Sequence, residues 1–288
     1  MRILGSENEF LQVIKHLDLS MKETEHLKEN FKNAQKGQLN DLLELAHFFH
    51  ESSLFKEAQE LFRKAADLEC AEALYMLGNY AFEGLVDPED ENEAFLYYEK
   101  AAHLGYPDAM NNLADMYLNG EAVVVDEKLA LFWFSKAADL GVIEAMFTLG
   151  MIYEQGIGVA IDEQQALHFY RMSAAGGDLD AIYRMGMIYM TPLLNERKDM
   201  KRAIEYFVIA AEKGNVDSLY NLGYIYEFGI GVDIDGHLAL QKYKEAGELG
   251  DVASIEAVIR LYKEGTVIMR DEIMAQKWKR MLSEMNFG

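Results

Sequence analysis

The sequence predicts an all-α solenoid built from about seven helix–turn–helix repeats. Two motifs that recur in phase along the 288-residue chain carry this prediction. The first is an apolar hexapeptide that ends in a small residue, and its copies start at residues 73, 109, 145, 181 and 218, spaced 36, 36, 36 and 37 apart. The second is a pair of small residues at 65–66, 101–102, 137–138, 174–175, 210–211 and 246–247. Self-similarity at a fixed period of this length is typical of stacked repeats.

Residues 144–178 show the repeat most clearly. Helical periodicity divides the residues of the first helix between two opposite faces, each of which is available for contacts. One face carries Met146, Leu149, Gly150 and Tyr153, and the other carries Glu144, Phe147, Met151 and Glu154. Gly156 and Gly158 then predict a turn, and Asp162 is a candidate N-cap for a second helix. The second helix is expected to end at residues 176–177, where two glycines follow one another.

Each predicted helix has only about 13 residues, too few for stability alone in water, so neighbouring helices have to supply the packing. A small residue recurs at one register of the first helix: Gly78, Ala114, Gly150, Gly186 and Gly223. A close approach between two helices explains these small residues better than a ligand does. The small pairs late in the second helix allow the next repeat to approach in the same way.

The repeat resembles that of a known family. The pattern Ala-x-x-x-Leu-Gly-x-x-Tyr-x-x-Gly-x-Gly-Val, followed by an Asp, a Tyr and an Ala pair, is similar to the Sel-one-like repeat, a longer-looped relative of the tetratricopeptide repeat. Residues 145–177 and 218–250 match it best, and the resemblance extends over about 73–280. It implies a right-handed α/α superhelix that acts as an adaptor or scaffold and binds proteins on its concave side. It also implies that the first helices line that side.

Both ends of the chain depart from the pattern. Residues 1–39 are predicted to form an N-terminal helical cap or degenerate repeat of two helices, with candidate capping boxes at Ser6/Glu9 and Ser20/Glu23. Residues 40–288 are predicted to form the solenoid, which ends in a capping helix at about 271–284. Within it, Pro192 replaces the glycine turn and is expected to end a helix.

Composition narrows the class of partner. The net charge is −22, and residues 1–40 carry six Lys/Arg and six Asp/Glu, so the deficit lies in the repeats. Binding to nucleic acid or to an anionic membrane relies on Lys and Arg, which disfavours both as partners. No run of about 18 apolar residues occurs, so we expect no membrane span. The single cysteine and the polar start of the sequence lead us to expect a cytoplasmic chain.

The phase of the first helices, together with the resemblance, predicts the residues of a partner-binding groove. They are Glu72, Tyr75, Asn79, Phe82, Asp108, Asn111, Asp115, Glu144, Phe147, Met151, Glu154, Asp180, Tyr183, Met187, Met190, Asp217, Tyr220, Tyr224, Glu227 and Phe228. Acidic residues recur at one position of successive first helices, and aromatic and methionine residues recur at other positions of the same helices. Such a surface suits a peptide or protein that has basic and apolar residues.

Other interpretations of the same residues stay open. The aromatic residues could mainly pack against neighbouring helices, and the acids could simply favour helix starts. The chain could be an inhibitor or immunity protein that neutralises a basic partner, or a hydrolase of the β-lactamase-like kind. No catalytic set, cofactor motif or metal site is predicted, although His47 and His50 lie three residues apart on a helix. The oligomeric state is not predicted.

Overall fold

The computed structural model describes residues 5–285, and all regular secondary structure in that range is α-helical. The helices are α1 (Glu7–Ile14), α2 (Met21–Ala34), α3 (Leu39–Glu51), α4 (Phe55–Ala66), α5 (Ala71–Glu83), α6 (Glu91–His103), α7 (Pro107–Asn119), α8 (Glu127–Asp139), α9 (Ile143–Gln155), α10 (Glu163–Gly176), α11 (Leu179–Met190), α12 (Met200–Glu212), α13 (Val216–Phe228), α14 (Gly236–Glu248), α15 (Val252–Glu264) and α16 (Glu272–Met285). The predicted all-α repeat fold of seven helix pairs, α3/α4 to α15/α16, is confirmed.

The chain divides into two compact units. The first unit ends at Ala145 and the second begins at Met146, within α9. In the first unit each helix from α2 onward packs against the next along the chain, and the same holds from α10 to α16 in the second. The predicted division into a cap over residues 1–39 and a solenoid over 40–288 stays a prediction, and its outermost residues, 1–4 and 286–288, lie outside the described range.

The helix ends follow the signals in the sequence. Ser6 and Ser20 both form the predicted capping boxes, with Glu9 and Glu23. An aspartate caps the second helix of five successive pairs through hydrogen bonds from first-turn amides: Asp90, Asp126, Asp162, Asp199 and Asp235. α11 ends at Met190, and the next residue is extended ahead of Pro192, as predicted. These local signals set the length of each helix and therefore which residues share a face.

The recurring glycines of the first helices each lie under an aromatic ring. A Cβ atom added at Gly78 would be 2.5 Å from the Tyr98 ring, and one added at Gly223 would be 2.7 Å from the Tyr243 ring. Gly150 and Gly186 make the equivalent approach, to Tyr170 and Phe207. The predicted close contact is confirmed, and its partner is the aromatic side chain of the second helix in the same repeat. This contact holds the two helices of a pair together.

Candidate interaction surface

The predicted groove residues differ widely in exposure. The exposed ones are Phe82, Asp108, Glu144, Asp180, Asp217, Tyr224 and Phe228. The partly buried ones are Glu72, Tyr75, Asn79, Asn111, Asp115, Phe147, Met151, Glu154, Tyr183, Met187, Met190 and Tyr220. Glu227 alone among them is buried, with 3% of its surface exposed. A helical wheel therefore places most of this set at or near the surface and misplaces one residue.

The recurring acids all occupy the second position of a first helix. They are Glu72, Asp108 and Glu144 in the first unit, and Asp180 and Asp217 in the second. A carboxylate in the first turn interacts favourably with the helix dipole, so this position has a local structural reason. Burial, and then the charge of Glu144, raises the pKa of Asp108. Four of the five side chains are nevertheless exposed and can meet a cation from outside.

The two histidines considered as metal ligands contact α5 instead. His47 Nε2 lies 2.7 Å from Glu72 Oε1, and His50 Nδ1 lies 2.9 Å from the Tyr80 hydroxyl. Between residues 5 and 285, no group of three or more His, Cys, Asp or Glu side chains is arranged to hold a metal ion. Glu72 is therefore already engaged by its neighbour, unlike the other acids at its register.

The aromatic groove residues pack partly on the second helix of their own repeat. The rings of Phe147 and Tyr170 lie 5.6 Å apart, and Tyr183 and Tyr220 make the equivalent contacts with Phe207 and Tyr243. Phe147, Tyr183 and Tyr220 thus each contact a buried aromatic ring and remain only partly buried themselves. This agrees in part with the packing interpretation of these residues.

Tyr224 and Phe228 form the most exposed aromatic pair of the surface. Their ring centroids are 4.7 Å apart, and the side chains are 41% and 52% exposed. Large exposed aromatic side chains on a helix are the type of residue that anchors protein interfaces. Both lie on α13 in the second unit.

Two tyrosine–carboxylate–arginine clusters connect successive repeats of the second unit. Tyr243 donates its hydroxyl to Glu227 at 2.9 Å, and Arg260 donates to both oxygens of the same carboxylate at 2.6 and 2.8 Å. The hydrogen bonds to Glu227 raise the pKa of Arg260. Burial and the charge of Glu227 raise that of Tyr243. Glu227 is thus a buried ion-pair partner, and its predicted place on the groove surface is wrong.

The second cluster has the same composition. Tyr170 donates to Glu154 at 2.7 Å, and Arg184 from the next first helix pairs with the same carboxylate. Neither arginine was predicted from the sequence as a partner of these carboxylates. A signal was present, because the aromatic position of the second helix holds Tyr at 98, 170 and 243 but Phe at 134 and 207. A buried tyrosine hydroxyl requires a hydrogen-bond partner, whereas a phenylalanine ring at the same position requires none.

The corresponding place in the first unit holds a cavity. It has a volume of about 170 Å³ and is lined by Phe82, Tyr98, Asn112, Asp115, Met116 and Glu121. Tyr98 donates to Asn79 at 2.8 Å, and Asn111 donates to Asp115 at 3.2 Å. Burial, and then the nearby Glu121, raises the pKa of Asp115 to about 6.

The regular helix pairs and their shared glycine–aromatic contact define an α-helical repeat protein. A family model described as Sel1 repeat matches residues 55–70, 71–106, 107–142, 143–178, 179–215 and 216–251. The chain therefore belongs to the Sel1 repeat family, as the sequence predicted. Proteins of this family generally mediate protein–protein interactions and are typically non-enzymatic scaffolds.

Solved structures agree with this assignment. A Sel1 repeat protein from Oxalobacter formigenes is 30% identical, with 84% of this chain and 99% of that one covered and a TM-score of 0.73. A protective antigen of uropathogenic Escherichia coli with this repeat fold is 26% identical over 90% of this chain, with a TM-score of 0.83. The chain spans 56% of that antigen's length. No curated protein matches the chain. Over residues 5–285, no helix has both the length and the apolar character that crossing a bilayer requires.

Proposed function

We propose that this chain is a non-enzymatic adaptor or scaffold that binds a protein or peptide through exposed residues of its first helices. The observation that carries the proposal is the exposed aromatic pair Tyr224 and Phe228, on the same helix as the exposed acid Asp217. Aromatic anchors bury large apolar areas at interfaces, and nearby carboxylates select partners that carry Lys or Arg. Its location is proposed to be cytoplasmic.

Apolar contact is expected to supply most of the affinity. Screening over about 8 Å at physiological salt limits the effect of the net charge to the few carboxylates near the partner. The acids should therefore act mainly on the association rate and on the choice of partner. The alternative function, an inhibitor or immunity protein for a basic partner, requires the opposite balance between charge and apolar contact.

The test compares two double variants in a pull-down from a lysate of the source organism. Tyr224→Ala with Phe228→Ala removes the aromatic pair. Met172→Ala with Ile209→Ala removes two similarly exposed apolar side chains, 38% and 43%, from second helices of the same unit. We expect specific partners to be lost with the first variant and kept with the second. Retention of every partner by the Tyr224/Phe228 variant would contradict the proposal.

Repeating the pull-down across salt concentrations separates the two functions. An adaptor anchored by apolar contacts should keep its partner at 0.5 M NaCl, because burial of apolar surface is not screened. A charge-neutralising inhibitor should lose its basic partner between 50 mM and 0.5 M NaCl. The second outcome would favour the inhibitor over the adaptor.

A further inference from the structure

Three junctions between successive repeats have the same register but different charges. Counting 72 and then 73 residues along the chain, Tyr98 corresponds to Tyr170 and Tyr243, and Phe82 corresponds to Glu154 and Glu227. On the next first helix, Asn112 corresponds to Arg184, and Asp115 corresponds to Arg260. The first junction therefore has a carboxylate where the third has a guanidinium, and a phenyl ring where both later junctions have a carboxylate.

The two junctions of the second unit show which group satisfies a carboxylate in this setting. Glu154 and Glu227 each accept a hydrogen bond from a tyrosine and pair with an arginine of the next first helix. Arg184 also lies over the Tyr170 ring, with its guanidinium carbon 5.8 Å from the ring centroid. An arginine on the carboxylate is the solution that recurs at both junctions, because a guanidinium combines charge with directed hydrogen bonds.

The junction of the first unit lacks that cation. No Lys or Arg among residues 5–285 forms an ion pair with Asp115 or Glu121. Asn111, which donates to Asp115, does not itself line the cavity. The two carboxylates that do line it have no cationic donor from residues 5–285, and a carboxylate held partly away from water without one has a free-energy cost that a bound donor removes.

The cavity has suitable room and chemistry for such a donor. Its volume of about 170 Å³ is several times the roughly 30 Å³ that one water molecule occupies in the liquid. Two carboxylates and an amide supply acceptors, and the exposed Phe82 ring supplies an aromatic edge or face. No cationic side chain lines it.

We propose that this cavity binds an arginine side chain of the partner protein, with its guanidinium on Asp115 and Glu121 beside Phe82. The proposal rests on the proposed function, because it assigns one anchor of the partner to the first unit. The structure itself provides the arginine for the later two junctions, whereas at this one the partner provides it. The first unit thus recognises charge, and the exposed aromatic pair of the second unit recognises an apolar side chain.

The groups facing Asp115 determine how binding depends on pH. Glu121, in the loop after α7, lines the same cavity as Asp115. Tyr98 on α6 also lines it, and burial, together with charges that include Glu83 on α5, raises the pKa of its hydroxyl group. All of these are acidic or neutral, so lowering the pH can only remove negative charge from the cavity. Binding of a guanidinium is expected at pH 7.5, where Asp115 is ionised, and should weaken at pH 5, where it is protonated.

The test uses two small probes of nearly the same shape. N-acetyl-arginine amide carries the guanidinium, and N-acetyl-citrulline amide replaces it with a neutral urea group. Each is titrated into the ¹⁵N-labelled full chain at pH 7.5, and amide shifts of α5, α7 and the loop after α7 are followed. We expect saturable shifts there with the arginine derivative, and binding of the citrulline derivative that is weaker by about tenfold or more.

Three variants make the assignment specific. Asp115→Asn keeps the side-chain shape and should reduce binding about tenfold or more. Glu127→Gln removes an exposed acid of the first unit that lies outside both the cavity and the predicted groove, and it should leave binding unchanged. Phe82→Glu combined with Asp115→Arg rebuilds an internal ion pair and should abolish binding while the chain stays folded, as measured by thermal unfolding.

Several results would overturn the proposal. Equal binding of the two probes, or equal binding by Asp115→Asn and the wild-type chain, would show that no charge recognition occurs in the cavity. Saturation of the same amides by millimolar CaCl₂ without any response to the arginine derivative would identify a metal site instead. If these failures occur while the Tyr224/Phe228 pull-down still loses its partners, the cavity proposal is wrong and the proposed function stands.

Discussion

The Tyr98 junction of the first unit and the Tyr243 junction of the second share their packing and differ in electrostatics. In both, a tyrosine ring covers a glycine of the first helix at a distance that excludes a Cβ atom. At Tyr243 the hydroxyl meets a buried carboxylate that an arginine neutralises. At Tyr98 it meets Asn79, and an acid without a cation lies next to it. Repetition therefore conserves the contact that joins two helices, while the polar groups above it are free to diverge.

The presence or absence of an internal cation decides whether a carboxylate at such a junction serves the stability of the fold or the binding of a partner. A carboxylate that is satisfied within the chain contributes to the fold and has little left to offer a partner. An acid held in a cavity without a cation costs folding free energy, which a partner's cation can recover on binding. The variants below test this contrast. Each unit contains one buried tryptophan, Trp133 in the first and Trp278 in the second, so Trp→Phe backgrounds report each unit separately.

The largest effect is expected from Arg260→Met. The substitution leaves Glu227, only 3% exposed, without its cation, and removing one partner of a buried ion pair is strongly destabilising. Because 38% of the Arg260 side chain is exposed, we expect a loss of about 3 kcal/mol, near the lower end of that range. Urea unfolding followed by Trp278 fluorescence measures it. The double variant Glu227→Gln/Arg260→Met should recover much of the unfolding free energy that Arg260→Met loses. If the losses of the two single variants simply add in the double variant, the ion-pair interpretation is contradicted.

Gly223→Ala and Gly78→Ala test what the two junctions share. The added methyl group would meet a buried tyrosine ring at 2.7 and 2.5 Å, which outweighs the better helix propensity of alanine. We expect each substitution to destabilise its own unit by about 2 kcal/mol in urea unfolding. Ala114→Gly serves as the reference. It makes the reverse change at the same register of α7, where the chain already has alanine. Stabilisation by either Gly→Ala change would show that propensity decides this position and packing does not.

Tyr243→Phe and Tyr98→Phe compare the two hydroxyl groups directly. Tyr243 donates to a buried charged group, and a hydrogen bond to a charge contributes more than one between neutral groups. We expect losses of about 2 kcal/mol for Tyr243→Phe and about 1 kcal/mol for Tyr98→Phe. The same tryptophan probes measure both. Equal losses would indicate that the charge of Glu227 adds nothing to its hydrogen bond with the tyrosine.

The sequence was sufficient to predict the features that depend on local signals and on the repeat. The capping boxes at Ser6 and Ser20, the helix end before Pro192 and the close contact at the glycines are all confirmed. Each depends on backbone geometry within one turn, or on a small residue that recurs at a fixed period. The capping boxes and Pro192 each act at a single helix end, whereas the small residue recurs in successive copies, and those copies support one another.

The features that the sequence did not predict depend on contacts between different repeats. Glu227 has the phase of a surface residue on α13, but it is buried and pairs with Arg260, 33 residues later on the next first helix. A helical wheel assigns a face within one helix and contains no information about a side chain supplied by the next repeat. The same limit applies to Glu72, which His47 on the preceding first helix contacts. The Tyr/Phe alternation was the one signal that could have pointed to these clusters.

The smallest effect, with the opposite sign, is expected from Asp115→Asn. In the folded chain the pKa of Asp115 is raised to about 6 from an ordinary value of 3.8, so between pH 4 and 6 the folded state binds more protons than the unfolded state. The free energy of unfolding should therefore decrease as the pH rises through this window. Asp115→Asn should remove that slope, which a pKa raised by about two units makes worth at most about 3 kcal/mol. Because the asparagine amide has to be buried in place of the carboxyl group, we expect a net stabilisation of the first unit at pH 7.5 of about 1 kcal/mol, measured through Trp133. Glu127→Gln, which removes an exposed acid from the first turn of α8 in the same unit, is the control. A less stable Asp115→Asn variant at pH 7.5 would mean that the carboxylate is already satisfied within the chain, and the contrast between the two junctions would then disappear.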